Sequence, residues 1–276
     1  NGVSEEQAAA AKLLANLPIN DAQLTRALLE EGAIPAAVTK LEELKQGVVR
    51  IGASRFVGMY KEGLVGILLR FTETYGNRDI VTSAQEHNLT SFFTSLLNMG
   101  NLEEVQRISA LALANLSSLT KDLSVLPEIE DSSSSLCFCL FKSPQKKVGL
   151  CVVHGGQCSA KQTFCLYEAG AIVPLVGCLD HGNTSLVEAS LKALSTLLLE
   201  VENIEGGIKV LTDADAIQPI LDIMKEHKTE QLHQLVVLVV ECMLRDEGIA
   251  RIISGNPSVH TVLVEAFKHG NPLTKQ

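Results

Sequence analysis

Glu168-Ala169-Gly170-Ala171-Ile172-Val173-Pro174 and Glu31-Gly32-Ala33-Ile34-Pro35 are two copies of one phrase, and Asp213-Ala214-Asp215-Ala216-Ile217-Gln218-Pro219 is a degenerate third. Each reads as the end of one helix and the start of the next. Gly32 and Gly170 lack a Cβ and can take the left-handed conformation that closes a helix. Pro35, Pro174 and Pro219 pre-set φ in a first turn, where a missing N–H costs nothing. The apolar residue between glycine and proline is expected to plug the corner.

Working outward, each phrase leads into an amphipathic helix, a polar loop and a longer helix. Leu175-Val176-Gly177-Cys178-Leu179 runs into Asp180-His181-Gly182-Asn183-Thr184 and then Ser185-Leu186-Val187-Glu188, which reads as a capping box. Ser4-Glu5-Glu6-Gln7 has the same form. The long helices resemble one another: Ala10 to Leu17, Ala110 to Leu116 and Ala189 to Leu197 repeat apolar residues at three- and four-residue steps.

Aligning the corner residues Ile34, Leu89, Ile172, Ile217 and Val259 gives steps of 55, 83, 45 and 42. Two steps match the period of about 40–47 expected of armadillo or HEAT units, and the tetratricopeptide period of about 34 does not fit. The other two need about 13 and about 40 additional residues. The first insertion is expected as a loop around Gln46 to Phe56, the second between Lys121 and Cys158. The second carries Asp131-Ser132-Ser133-Ser134-Ser135 and Lys142-Ser143-Pro144-Gln145-Lys146-Lys147 with no helical period, so a solvated, disordered-like loop is expected. The fold class is therefore all-α, an armadillo-type right-handed solenoid of about four to five repeats. Its repeats span 1–120 and 159–276, with the insertion at 121–158. The first half is expected to start on the last helix of a repeat and the second to stop partway through one, as in a piece of a longer protein.

Composition agrees. The hydrophobic share is 46% while aromatics supply only 4%, so the core must be built from Leu, Val, Ile and Ala in thin helical layers. Net charge is −9, which disfavours wrapping nucleic acid, since phosphate neutralisation needs basic excess. The seven cysteines, an odd number, point to a reducing compartment such as cytosol or nucleus. The longest apolar runs, Leu136–Phe141 and Leu235–Val240, are too short to span a bilayer.

On these corners and helices, the chain resembles the armadillo repeats of plant U-box E3 ubiquitin ligases, and more narrowly the many-repeat subgroup that associates with the plasma membrane. The resemblance rests on Leu28-Leu29-Glu30-Glu31-Gly32-Ala33, Glu86-His87-Asn88-Leu89, Cys151-Val152-Val153-His154 with Cys158-Ser159, and Thr163-Phe164-Cys165-Leu166. It extends to Asp180-His181, Ala193 to Leu198 and Leu263 to His269. It implies a protein-interaction module, recognising a substrate or regulator and helping to target a membrane. The E2 would be met only through a U-box, and nothing in this chain looks like one. The expected location is cytoplasmic, with a peripheral contact at the cytoplasmic face of the plasma membrane. The alternative is an armadillo scaffold or transport adaptor with no ligase activity.

No catalytic residue and no cofactor are assigned. The long last helices of armadillo repeats line a concave groove, and the Asn of their Leu-x-Asn-Leu phrase faces it. Asn16 and Asn115 hold that position, Thr196 replaces it in a third repeat, and Arg70 falls there by a looser alignment. The competing reading is that each Asn satisfies neighbouring helix backbones. Cys137, Cys139, Cys151, His154 and Cys158, with Cys165 nearby, raise the alternative of a zinc site. They lack paired Cys-x-x-Cys modules, and Cys165 sits between Phe164 and Leu166 as a small core residue would, so buried thiols beside a loose loop are preferred. No nucleophile signature flanks any cysteine. Gly155-Gly156 and Gly206-Gly207 are expected as turns. Lys142, Lys146 and Lys147 form a basic cluster suited to acidic headgroups.

Overall fold

A computed structural model describes residues 3–19, 21–46, 54–73, 77–99, 102–123, 149–199, 204–225, 229–255, 259 and 264. Among them there are helices and turns and no strands. Helix α1 (Glu5–Asn16) opens on the expected capping box, in which Ser4 Oγ accepts from Gln7 N–H and Gln7 Oε1 accepts from Ser4 N–H. Two three-helix units follow: α2 (Ala22–Glu30), α3 (Ala33–Lys45) and α4 (Ser54–Arg70), then α5 (Arg78–Glu86), α6 (Leu89–Leu97) and α7 (Glu103–Ser117). A single turn, α8 (Thr120–Leu123), precedes the long segment 124–148. Beyond it come α9 (Ile172–Gly177) and α10 (Thr184–Ser195), which tightens into a 3₁₀ turn at Thr196–Leu198. A last full unit, α11 (Ile204–Asp213), α12 (Ile217–Lys225) and α13 (Glu230–Met243), is followed by α14 (Glu247–Ser254).

The corners close as the phrases require. Gly32 and Gly170 take left-handed backbones, φ 70° and 66°. Asn88 and Asp215 do the same at φ 46° and 55° in the other two corners. Asn and Asp are the side-chain-bearing residues that tolerate this region best, so four units share one corner geometry with three residue types. The next residue is fully buried at Leu89, Ala171 and Ala216, and Ile34 is buried two positions after Gly32.

The third helices α1, α4, α7, α10 and α13 form one row, each packed on the next. The α1–α4 crossing is tight because α4 carries glycines there. A Cβ on Gly63 would lie 2.7 Å from the backbone of Ala11 and Lys12, and one on Gly66 would lie 2.8 Å from Ala15 Cβ. Direct packing of α7 on α10 lets one apolar core run from Val3 to Val259 across the long insertion.

Local details differ from the sequence reading. Helix α10 is capped by Asn183, whose Oδ1 accepts from the N–H of Ser185 and Leu186, so Ser185 lies inside the helix and the expected Ser185–Glu188 box does not form. Gly206 and Gly207 are not a turn but part of α11. A side chain on Gly207 would collide with the Leu197 carbonyl, so glycine serves close packing there. Helix α4 begins at Ser54, within the stretch expected as loop. Gly155, with φ 66°, does make a turn. Ser132, Cys137, Cys139, Lys142, Lys146 and Lys147 lie outside the described residues.

Candidate functional site

Four of the third helices leave a stripe of exposed or half-buried residues, while the described residues of α4 are all buried or half-buried. On α7 the stripe is Glu104, Arg107, Leu111 and Ser118; on α10 it is Ser185, Glu188, Lys192 and Ser195. On α13 it is Gln234, Leu238, Glu241 and Arg245, and on α1 it is Glu6, Leu13 and Asn16. Three- and four-residue spacing keeps each stripe on one side of its helix. The stripes of α7, α10 and α13, on helices packed one against the next, carry charges of both signs. Arg107 is held in it by a two-pronged pair with Glu104, both N···O distances 2.8 Å. The Arg107 hydrogen bond holds the Glu104 carboxyl below its ordinary pKa, against the burial that raises it. Leu13 and Leu238 add apolar surface, at 66% and 46% exposed.

The four residues singled out from sequence occupy two different settings. Asn16 is exposed on the α1 stripe. Arg70 is 1% exposed, and its guanidinium donates to the carbonyl oxygens of Leu17 at 2.5 Å and Pro18 at 2.7 Å, which end the preceding third helix. Burial lowers the Arg70 pKa while Asp21 and Glu73 act to raise it. Asn115 is also buried, and its Nδ2 donates to Thr72 Oγ1 at 3.1 Å. Thr196 is half-buried; its hydroxyl lies 2.7 Å from Ser117 Oγ and donates to the Ala193 carbonyl. Arg70, Asn115 and Thr196 therefore form polar links at three successive junctions of the row: α1–α4, α4–α7 and α7–α10.

A second constellation stands in the third unit. Where α2, α5 and α11 supply a first helix elsewhere, residues 150–171 run as turns. Gly155 N–H donates to the Cys151 carbonyl, and Cys151 N–H to the Gly156 carbonyl, folding His154 back over Cys151. Thr163 Oγ1 accepts from Ser159 N–H and donates to the Ser159 carbonyl, Ser159 Oγ accepts from Gln162 N–H, and Cys165 N–H reaches the Ser159 carbonyl. As a result Cys151, His154, Cys158 and Cys165 present Sγ and Nδ1 atoms all within 4.8 Å of one another. Hydrogen bonds from Cys158 and Cys165 pull the Cys151 thiol far below its ordinary pKa, whereas the Cys165 thiol, bonded to Cys151 and Cys158 and buried, is pushed far up. Burial acts to lower the His154 pKa, but the bonds and charges of Cys151 and Cys158 outweigh it and raise it to about 9. Of the zinc alternative, Cys151, His154 and Cys158 meet; the fourth member is Cys165, which the sequence reading assigned to the core. Its apolar neighbours hid it, and the missing first helix was the signal a periodicity count could have caught.

Among the described residues no helix is long and apolar enough to cross a membrane. The Armadillo/beta-catenin-like repeat family matches residues 159–198, the stretch that holds Cys165 of the cluster and α9–α10. The chain is 40% identical, over 99% of its length, to U-box domain-containing protein 44 of Arabidopsis thaliana, and covers 34% of that protein. It is likewise 40% identical over its whole length to U-box domain-containing protein 24 of Oryza sativa subsp. japonica, again covering 34%. It thus spans about a third of the length of these curated relatives. A designed armadillo repeat protein superposes on all of the chain with a TM-score of 0.65 at 17% identity, 91% of that protein being covered. Another, solved in complex with the peptide (KR)4, gives 0.61 at 16% identity over 97% of this chain and 87% of that one. The chain is an armadillo-repeat solenoid, similar from end to end to plant U-box domain-containing proteins.

Proposed function

We infer that this chain is the recognition module of a U-box-type E3 ubiquitin ligase, binding a protein substrate or regulator along the exposed stripes of α1, α7, α10 and α13. The observation that carries the reading is the unbroken row of third helices, whose buried polar links leave its open face free for a partner. The similarity to U-box domain-containing proteins supports the ligase context, and a designed solenoid of the same fold in complex with a peptide supports binding along such a row. The E2 is met by a U-box outside these residues. Lys142, Lys146 and Lys147 bring the module to the cytoplasmic face of the plasma membrane.

The test is affinity purification from plant extract with the wild-type chain and with a Leu13→Asp, Lys192→Glu, Leu238→Asp variant. Loss of specific partners from the variant, with its helical content intact, is the expected result. An unchanged partner set removes the row from consideration. In parallel, the protein that carries this chain together with a U-box should autoubiquitinate with E2, and the chain by itself should not. If no U-box accompanies the chain in its natural protein, the adaptor reading replaces the ligase one. Flotation with phosphatidylserine vesicles, lost when the three lysines become glutamine, tests the membrane contact.

A further inference from the structure

We propose that Cys151, His154, Cys158 and Cys165 bind one zinc ion through three sulfurs and the His154 Nδ1, and that this ion takes the structural place of a missing helix. The distances carry the assignment. Zinc bonds of about 2.3 Å to sulfur and about 2.0 Å to nitrogen, set at tetrahedral angles, require S···S edges of about 3.8 Å and S···N edges of about 3.5 Å. The structure has Cys151 Sγ–Cys165 Sγ at 3.8 Å, and His154 Nδ1 at 3.5, 3.6 and 3.6 Å from the sulfurs of Cys151, Cys158 and Cys165. Four of the six edges of the group thus have the length that tetrahedral zinc requires, and the two remaining edges, from Cys158 Sγ to the other sulfurs, lie within 4.8 Å.

The chemistry of the donors narrows the choice. Three thiolates and an imidazole suit zinc, while magnesium and calcium require oxygen. Four protein ligands fill the coordination sphere and leave no open position for a water or substrate, which marks a structural site rather than a catalytic one. A disulfide accounts for the cluster less well, since it uses two of three sulfurs and needs them about 2.05 Å apart. Three thiolates and one dication leave a single negative charge, far less costly at this depth than three uncompensated anions.

The surroundings explain why the chain needs an ion here. Residues 150–171 lack the hydrogen-bond ladder that a first helix supplies in the other complete units. Phe164, fully buried, holds a left-handed backbone at φ 57° beside Cys165, a conformation a bulky residue keeps only when its surroundings impose it. Fixing the cluster also fixes Gln162, whose carbonyl accepts from Gln85 Nε2 at 2.6 Å and ties the segment to α5 of the preceding unit.

The inference stands apart from the ligase reading, and its test needs no partner or activity. The 276-residue chain is purified without chelator and its metal measured by mass spectrometry, then titrated with cobalt after zinc removal. Expected are stoichiometric zinc, a cobalt spectrum with tetrahedral and thiolate-charge-transfer bands, and a Tm about 5 °C or more lower without metal. Cys158→Ser, which alters the half-exposed ligand, should lose stoichiometric zinc, whereas Cys178→Ser, outside the cluster, should keep it. Substoichiometric metal with no cobalt spectrum overturns the proposal, as does full zinc retention in Cys158→Ser or a Cys151–Cys165 disulfide in the chain purified under reducing conditions. Should Cys158→Ser not fold, the wild-type cobalt titration still decides.

Discussion

Arg70 donates to the carbonyl oxygen of Pro18 across 2.7 Å, so the last residue of α4 holds the chain just past the end of α1. Arg70 also donates to the carbonyl of Leu17, the C-cap of α1, which has no partner within the helix and must find one outside. Here the next repeat supplies it, and the donor is charged, which strengthens the bond.

Arg70→Ala should therefore destabilise the solenoid by about 2–3 kcal/mol, the loss of hydrogen bonds from a buried charged donor. Arg70→Lys, a point charge in place of a fork, should recover only part of it. Chemical denaturation of the three proteins checks the order.

Asn115→Ala and Thr196→Val each remove one neutral link, Asn115–Thr72 or Ser117–Thr196. Each should cost about 1 kcal/mol. The links sit at different junctions and share no side chain, so the double variant should show the sum within about 0.5 kcal/mol. A larger coupling would mean the links act as one network.

Three glycines of α4 should respond to alanine with opposite signs. At Gly63 and Gly66 the new Cβ meets Ala11, Lys12 and Ala15 at 2.7–2.8 Å, and overpacking should cost about 1–3 kcal/mol. At Gly58 the nearest atom, Leu102 Cδ2, is at an ordinary 3.7 Å, so alanine's better helix propensity should stabilise by about 0.5–1 kcal/mol. Thermal melts of the three single variants decide the point.

Cys178 is 6% exposed, and burial pushes its thiol pKa up, with Ser190 pulling weakly the other way. A raised pKa means less thiolate at neutral pH, and the thiolate is the reactive form. Iodoacetamide should leave Cys178 unmodified in the folded chain and label it fully in denaturant, as read by peptide mass spectrometry.

The fold was legible because its punctuation is local. Gly32, Gly170 and the prolines after them encode a helix end within five residues, and a five-residue phrase survives without tertiary information. Asn88 and Asp215 do the same work less visibly, since a left-handed Asn or Asp is one of several outcomes for those residues. The role of Arg70 was not legible. A basic residue at a helix end looks like a groove contact until the two carbonyls it serves, more than fifty positions away, are placed beside it. The cysteine cluster was half legible for a related reason. Its composition was plain, but membership depended on which side chains the turns at Gly155 and Ser159 would bring together.

The direct contact of α7 with α10 has one more consequence. The row's geometry passes from the second unit to the third through packed side chains rather than through the intervening chain. Lengthening a flexible connection between two helices packed in this way costs only the logarithmic entropy of loop closure, about 0.6 kcal/mol per doubling. The α7–α10 junction can therefore take a longer or differently charged connection while the row keeps the same face.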